Sequence, residues 1–284
     1  VWRAGDWLVK FPGTTRNLQG SVPSYTTAPV SEWLGSHVYA ALGIPVHETV
    51  LGIRDGRIVC ACRDFTFPDS RLVNFHDLKN SLSDDEPGFT EDASTGSGVV
   101  LADVRSAIHR IPVLRSIDGV SDRFWDMFVV DAFIRNIDRN NTNWGVLRNP
   151  RGEFSLAPVY DNGNSFNNKR TDSGIERRLA NPDLIRQDAL DVRSCYVTDR
   201  GKPIAPLKYL ASGQDEECTK ALDRFMERYD PRSFHDLLGS IPSMSHGLTV
   251  VPDGFHEYHR RVCDYRCEHA FMEAWRDLHP TVGV

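Results

Sequence analysis

Residues 133–166 read FIRNIDRNNTNWGVLRNPRGEFSLAPVYDNGNSF, and this stretch decides the fold. An apolar helical pattern runs into a loop over 137–143 that is rich in Asp and Asn. Two strand-like runs follow at 143–147 and 153–160, joined by a turn that carries Pro and Gly. The stretch therefore predicts a helix, a polar loop and a β-hairpin that ends in Asp-Asn-Gly.

A hairpin brings its two ends side by side, so the polar groups that flank this hairpin are expected to meet. Asp138 and Asn143 lie before or at the start of the first strand, and Asp161 directly follows the second. Carboxylate and amide oxygens are ligands that Mg²⁺ prefers, together with water and substrate phosphates. Asp and Asn are also common in turns, because they hydrogen-bond their own backbone. The combined spacing, more than any single residue, favours a metal and phosphate site.

Protein kinases carry this order of groups, with a catalytic Asp, an Asn and a second Asp that holds metal. Their amino-terminal part supplies a strand Lys for the phosphates and a helix Glu that pairs with the Lys. Here Lys10 lies in the strand-like run WLVKFP, and Glu32 lies in the helical pattern that follows. The predicted roles are a catalytic Asp138 assisted by Lys10 and Glu32, and metal ligands at Asn143 and Asp161.

The amino-terminal part predicts a small sheet with one helix. Residues 6–12 alternate as a strand, and residues 46–65 form two strands around an Arg-Asp-Gly-Arg turn. Between them a helix is predicted after Pro29, with Ser31 as its cap. That helix is expected to end near Gly43.

The later part of the chain is mainly helical in pattern. Residues 121–136 are apolar on nearly every face, which predicts a buried central helix capped by Ser121. Further helices are predicted at 180–193, 214–228 and 253–277.

These patterns predict an α+β fold with two lobes. Residues 1–66 are assigned to a small amino-terminal β-sheet lobe that carries one helix, and residues 98–284 to a larger, mainly helical lobe. Residues 67–97 are polar, carry Pro, Gly and Ser, and include an acidic run at 83–86 that is most simply a solvated loop. They are predicted to connect the two lobes of one catalytic domain.

Composition excludes several classes of protein. The 284 residues carry a formal net charge of −6, which argues against nonspecific binding to nucleic acid. No apolar run approaches the roughly 18 to 20 residues that span a bilayer, and no signal peptide is visible. The six cysteines match no disulfide or zinc framework, which favours free thiols in a reducing compartment. We expect no nucleic-acid or membrane partner, and a cytoplasmic protein or an effector secreted without a recognisable signal.

Five motifs together resemble the HipA-like kinases. They are LVKFP, SEWLGSHVYAALGI, ACRDFT, the Asp-x₄-Asn loop followed by Trp-Gly, and APVYDNG. The likeness covers residues 6–170 and is nearest to the compact, CtkA-like branch without an additional amino-terminal region. It implies a bilobal protein-kinase-like fold, ATP with Mg²⁺, and phosphorylation of Ser or Thr hydroxyls of a protein, often the enzyme itself.

The resemblance also implies further nucleotide contacts. Relatives often carry a His two positions after the catalytic Asp, where this chain has Asn140, so the contact there is expected to differ. No glycine-rich phosphate loop precedes Lys10, and the segment at 12–17, PGTTRN, is an alternative cover for the phosphates. The hinge beside adenine is implied, mainly through backbone groups, at Cys62, Arg63, Asp64 and Phe65.

Two other functions remain open on the sequence. Related lobes also phosphorylate small alcohols such as sugars and antibiotics, and a nucleotide-binding module without catalysis would keep the same fold. The complete Lys, Glu, Asp, Asn and Asp set favours catalysis. A metal-dependent phosphoesterase would leave Lys10 and Glu32 unexplained.

Two groups of Cys and His are interpreted as structural. On one helix the first and last of a His and Cys set would be about 16 Å apart, too far to share one zinc ion. That set consists of His256, His259, Cys263 and Cys267. Cys60 and Cys62 alternate on one face of a strand, which is typical of core filling.

Overall fold

The computed structural model describes residues 2–14, 26–83 and 98–280. Its amino-terminal part is a four-stranded antiparallel sheet with one helix, α1 (Ala28–Ala41), packed on two of the strands. The strands are β1 (Trp2–Ala4), β2 (Trp7–Lys10), β3 (Thr49–Arg54) and β4 (Arg57–Arg63), in the order β1-β2-β4-β3.

The rest of the described chain is mainly helical. Its helices are α2 (Phe75–Ser83), α3 (Leu101–Arg110), α4 (Pro112–Arg115), α5 (Val120–Ile134), α6 (Asp172–Leu179), α7 (Pro182–Leu190), α8 (Pro206–Ser212), α9 (Glu216–Arg228), α10 (Pro231–Gly239), α11 (Phe255–Arg266) and α12 (Met272–Leu278), with a π-helical turn at Cys267–Phe271. Its strands are β5 (Arg71–Asn74), β6 (Val99–Val100), β7 (Gly145–Arg148), β8 (Phe154–Leu156), β9 (Tyr196–Val197), β10 (Met244–Ser245) and β11 (Leu248–Thr249). The α+β architecture predicted from the sequence is confirmed.

The turn between β3 and β4 follows the predicted Arg-Asp-Gly-Arg pattern. Asp55 and Gly56 have φ values of 50° and 67°. This left-handed pair matches the right-handed twist of two strands joined by two residues, and Asp-Gly is a preferred sequence for it. The predicted hairpin is therefore confirmed.

The two predicted serine caps are wrong. Helix α1 begins at Ala28, three residues before Ser31, and the hydroxyl of Ser31 donates to the backbone oxygen of Ser165 at 3.0 Å. Helix α5 begins at Val120, and Ser121 donates to Glu217 at 2.9 Å instead. Both serines form tertiary hydrogen bonds, which the local capping preference does not take into account.

Helix α5 is the buried central helix that the sequence predicts. Nearly all its apolar residues are buried, and Phe133 packs among the aromatic rings of α9, α10 and the π-helical turn. Asp131 is the buried carboxylate within this helix. The helices predicted at 180–193, 214–228 and 253–277 are also present, as α7, α9 and the α11–α12 pair.

The predicted connecting segment contains regular structure. Strand β5 pairs antiparallel with β7, and β7 pairs with β8, so these three strands form one sheet. Helix α2 follows β5 directly. The acidic run at 83–86 lies outside the described residues except for the backbone of Ser83. The lobe boundaries at 66 and 98 stay a prediction.

Gly145 is the residue of the hairpin with the least space for a side chain. A Cβ there would overlap the backbone oxygen of Val73 and approach the Cα of Asn74 to 2.9 Å. Both are backbone atoms of the paired strand and cannot rotate away. We expect Gly145→Ala to lower the free energy of unfolding by about 3 kcal/mol, measured by chemical denaturation. Gly239→Ala, where a Cβ meets open space, is the control, and equal stability of the two variants would contradict this packing.

The His and Cys stripe of α11 is structural, as the sequence suggests. His256 bonds the backbone oxygen of Ile241 at 2.8 Å, and His259 is buried with its ring 4.3 Å from that of Phe255. Among the described residues, the stripe forms no metal-ligand cluster. Burial and the nearby positive charge of Arg266 lower the pKa of His259 from 6.5 to about 3.

The buried His259 predicts a pH dependence of stability. The unfolded chain takes up this proton near pH 6.5, while the folded chain does so only near pH 3. The free energy of unfolding therefore falls as pH falls through that window, by at most about 1.4 kcal/mol per pH unit. We expect His259→Phe to make the decline shallower in denaturant melts between pH 6.5 and 4. The exposed His109→Phe is the control, and an unchanged slope in His259→Phe would contradict the prediction.

Candidate active site

Lys10 lies between two carboxylates at the end of β2. Its ammonium nitrogen is 2.8 Å from Glu32 Oε2 and 2.8 Å from Asp161 Oδ1. Burial alone would lower the pKa of Lys10, but the two carboxylates outweigh it and the pKa is raised. The cation is therefore held firmly in its charged form. The structure thus brings together three predicted residues that are far apart in the sequence.

The buried Glu32 is held by three donors. One oxygen bonds Lys10, while the other accepts from His47 Nε2 at 2.9 Å and from the backbone amide of Asn162 at 3.1 Å. Burial alone would raise the pKa of Glu32, but Lys10 and His47 lower it well below its usual range. Glu32 lies in the second turn of α1, which begins at Ala28.

Glu32, His47 and Cys62 form a buried cluster whose potential ligand atoms lie within 4.8 Å of one another. These residue types can hold a metal ion. The Lys10 ammonium, however, already lies 2.8 Å from the Glu32 carboxylate. A dication beside it would be repelled, so we interpret the cluster as the support that orients Glu32 towards Lys10.

The Asp-Asn-Gly segment after the hairpin lies against α1. A Cβ on Gly163 would be 3.2 Å from Glu32 Oε2, and a Cβ on Gly35 would be 2.8 Å from the Cβ of Asn162. Asp161 has a φ of 61°, a left-handed conformation that Asp tolerates. This backbone turn leaves the Asp161 side chain bonded to Lys10 and 44% exposed to solvent.

Three further hydrogen bonds tie α1 to the same segment. The Thr27 amide donates to the backbone oxygen of Asn168 at 2.8 Å. The side-chain amide of Asn162 donates to the Ser36 hydroxyl at 3.0 Å. The third bond runs from the Ser31 hydroxyl to the backbone oxygen of Ser165. Both ends of the contact surface between α1 and the segment are thus fixed by directional bonds.

Arg139 joins the two ends of the hairpin from inside the protein. Its Nε donates to Asp131 at 2.8 Å, and Nη2 donates to the side-chain oxygen of Asn162 at 2.6 Å. Its Nη1 donates to the backbone oxygens of Asn143 and Tyr160. The start and finish of the hairpin therefore share one guanidinium group.

Asp138 accepts one amide hydrogen bond on each carboxylate oxygen. Asn140 donates to Oδ1 at 2.9 Å, and Asn164 donates to Oδ2 at 2.7 Å. The side-chain amide of Asn143 donates to the Asp138 backbone oxygen at 2.7 Å. Asn140 is buried, and its own side-chain oxygen accepts from Thr142. Both polar groups of the Asn140 side chain therefore form hydrogen bonds within the loop.

The predicted hinge at 62–65 begins with the last two residues of β4 and continues beyond the strand. The backbone amide of Arg63 donates to the backbone oxygen of Glu48 at 2.8 Å, and that of Asp64 donates to the backbone oxygen of Asp6 at 2.7 Å. These two amides are already engaged by protein oxygens. The ring of Phe65 lies 5.4 Å from the ring of Tyr160, which lines the end of the hairpin. The Cys62 side chain is buried with its sulfur 3.9 Å from that of Cys60, as expected for core filling.

The sequence profile of the HipA-like C-terminal domain matches residues 2–233 of this chain. The chain belongs to the HipA-like C-terminal domain family. The serine/threonine-protein kinase CtkA of Helicobacter pylori is 33% identical over 241 residues, which is 84% of this chain and 71% of CtkA. The resemblance found in the sequence motifs is therefore confirmed.

Solved structures agree with this family assignment. The crystal structure of the proinflammatory kinase CtkA of Helicobacter pylori matches with a TM-score of 0.81 and 28% identity, covering 97% of this chain and 92% of CtkA. HipA of Shewanella oneidensis, solved with HipB and operator DNA, matches with a TM-score of 0.53 and 12% identity. That match covers 95% of this chain and 60% of HipA, and it supports the fold alone. The bilobal kinase-like fold is confirmed.

Three residues that contact the candidate site of this HipA-like domain were not predicted from the sequence. His47, Arg139 and Asn164 contact predicted site residues through bonds that cross the fold. Arg139 directly follows Asp138 in the chain, and its position beside a predicted catalytic residue was the one available signal. His47 and Asn164 carry no local pattern that separates them from ordinary loop residues.

Half of the 12–17 segment, the alternative phosphate cover, lies outside the described residues, at 15–17. In the described part of the chain, no helix is both long and apolar enough to cross a membrane.

Proposed function

We propose that this chain is a serine/threonine protein kinase that uses ATP and Mg²⁺ and phosphorylates itself as well as other proteins. The observation that carries the proposal is the Lys10 ammonium held 2.8 Å from both Glu32 and Asp161. A buried Lys–Glu pair beside an exposed carboxylate is the arrangement that kinases use for the phosphates and the metal. Membership of a family that includes a named serine/threonine-protein kinase supports the same function.

The residues present suit a magnesium ion. Asp161 offers a half-exposed carboxylate, and the side-chain oxygen of Asn143 has one long contact of 3.4 Å, from the Thr142 hydroxyl. Oxygen donors of this kind are the ligands that Mg²⁺ takes beside substrate phosphates. The anionic substrate phosphates would offset the repulsion between this ion and the Lys10 ammonium. When bound, the ion supplies neutralisation of the phosphate charge.

The side chains of this domain then perform the remaining steps. Lys10 would bind the phosphates, oriented by Glu32 and its His47 support. Asp138 would accept the proton of the Ser or Thr hydroxyl. At the same time the hydroxyl oxygen would form a bond to the γ-phosphorus, and the bond between that phosphorus and the leaving ADP oxygen would break. Because the protein forms no covalent bond, positioning and charge account for the catalysis.

The nucleotide base is proposed to lie against the 62–65 segment. The backbone amides of Arg63 and Asp64 already donate to protein oxygens, so adenine would be bound there by backbone oxygens and by the side chain of Phe65. Asn140 is proposed to act at the nucleotide only through its contact with Asp138. We propose no nucleic-acid or membrane partner. The proposed location is the cytoplasm, or outside the cell as a secreted effector.

The test of the proposed function is the intact mass of the purified chain after incubation with Mg²⁺ and ATP. We expect a gain of one or more phosphoryl groups that depends on Mg²⁺, with the modified Ser or Thr found by peptide mapping. Labelled ATP offered to a protein mixture and to small alcohols distinguishes protein from small-molecule phosphorylation. Stabilisation by ATP without any transfer would instead identify a nucleotide-binding module and overturn the proposal.

A further inference from the structure

Asn164 places an amide donor on the proposed catalytic carboxylate. It lies three residues after Asp161, and its Nδ2 is 2.7 Å from Asp138 Oδ2. The other oxygen, Oδ1, is bonded by Asn140 at 2.9 Å. Each carboxylate oxygen therefore already carries one amide donor from the described part of the chain.

The two asparagines differ in how firmly they are held. Asn140 is buried, and its side-chain oxygen accepts two bonds from Thr142. Asn164 is exposed, whereas Ser165 and Phe166 after it are buried. The backbone amide of Phe166 bonds the Ile134 oxygen at 3.0 Å, which fixes the chain there. The Asn164 side chain can therefore leave Asp138 by rotation alone, without movement of the backbone.

The bond from Asn164 matches the one that an acceptor hydroxyl would make. In the proposed reaction a Ser or Thr hydroxyl donates to a carboxylate oxygen of Asp138. The short bond from Asn164 is a charge-assisted hydrogen bond on one of these oxygens. An entering hydroxyl on the exposed side competes with the Asn164 amide for Oδ2.

We infer that Asn164 is a specificity-determining residue that covers Asp138 Oδ2 until an acceptor hydroxyl displaces it. A protein acceptor brings binding energy from its remaining contacts, which can offset the displacement. Water brings no such contacts and competes with a donor tethered to the same chain. Asn164 therefore favours transfer over hydrolysis, in which water bonds the γ-phosphorus, ADP leaves and the water proton passes to Asp138. The inference rests on the proposed kinase function.

The experiment measures two products of the full chain with Mg²⁺ and ATP. Free phosphate reports hydrolysis, and phosphate on the chain itself or on dephosphorylated casein reports transfer. Asn164→Ala is expected to raise the ratio of hydrolysis to transfer about tenfold, the lower end of the range for one charge-assisted hydrogen bond. The KM for casein is expected to fall, because the acceptor no longer displaces an amide.

Two variants separate this effect from a loss of structure. Asn164→Gln keeps an amide donor and is expected to restore the ratio towards the unmodified chain. Asn149→Ala removes exposed hydrogen bonds of the hairpin turn, namely the 2.7 Å contact with Glu153 and the two backbone amide bonds that Asn149 Oδ1 accepts, and is expected to leave the ratio unchanged. Thermal melting checks that each variant is folded.

The outcomes distinguish this inference from the proposed function. If the unmodified chain transfers phosphate and Asn164→Ala keeps its ratio or lowers it, the role of Asn164 is overturned while the kinase function stands. If Asn164→Ala does not fold, Asn164→Gln provides the test. A ratio of hydrolysis to transfer about tenfold higher in Asn164→Gln, which keeps an amide donor, would also overturn the role of Asn164. If the unmodified chain transfers no phosphate, the proposed function and this inference both fall.

Discussion

Asp138→Asn is expected to lower the rate of phosphoryl transfer about 10²- to 10⁴-fold, the usual contribution of a positioned general base. The substitution keeps the size of the side chain but removes its ability to take up the hydroxyl proton. Lys10 and Asp161 are untouched, so ATP binding should persist. The measurement is the initial rate of label transfer from ATP, together with a thermal melt.

Asp183→Asn is the matched control for this prediction. Its carboxylate is exposed and forms a surface ion pair with Arg186, a type of contact that contributes little to stability. We expect the control to keep full activity. An active, folded Asp138→Asn variant would mean that another group accepts the proton, and the proposed mechanism would be abandoned.

Arg139→Met is expected to lower the free energy of unfolding by about 3 to 5 kcal/mol, because it leaves a buried carboxylate without its ionic partner. Burial alone would lower the pKa of Arg139, but Asp131 outweighs it and the pKa is raised well above its usual value. The substitution also removes the donors that the Asn143 and Tyr160 backbone oxygens share. Urea denaturation measures the stability, and activity should be lost together with it.

The double variant Asp131→Asn with Arg139→Met tests the cause of this loss. Removing the unpaired charge should recover part of the stability, since the neutral amide that replaces the carboxylate no longer requires a cation. Arg186→Met, which removes an exposed guanidinium, is expected to change stability by less than about 0.5 kcal/mol. A single Arg139→Met variant as stable as this control would show that the buried pair does not hold the hairpin.

The sequence was sufficient to locate the candidate site residues that lie on recognisable elements. Lys10 could be found because its strand alternates, and Asp161 because a hairpin has predictable ends. Glu32 followed from the helical pattern after Pro29. Because a hairpin brings its two ends together, the positions of Asp138 before it and Asp161 after it predicted that these two residues lie close in space.

The residues that support these groups could not be predicted in the same way. His47 bonds a helix residue 15 positions earlier, and Asn164 bonds Asp138 26 positions earlier. Such contacts depend on how the elements pack, and no periodicity encodes them. The same cause explains why the predicted caps at Ser31 and Ser121 were wrong, since tertiary partners were better acceptors for both hydroxyls.

The hydrogen bonds between α1 and the segment at 162–168 have a consequence for motion between the lobes. Apart from the Lys10–Glu32 ion pair, helix α1 packs on the sheet through apolar side chains, which can slide over small distances, whereas hydrogen bonds tolerate little change in geometry. When the cleft opens, α1 should therefore travel with the larger lobe and the sheet should rock over it. Lys10 moves with the sheet and Glu32 with the helix. In the proposed kinase, the ion pair between Lys10 and Glu32 would then break when the cleft opens and form again when it closes.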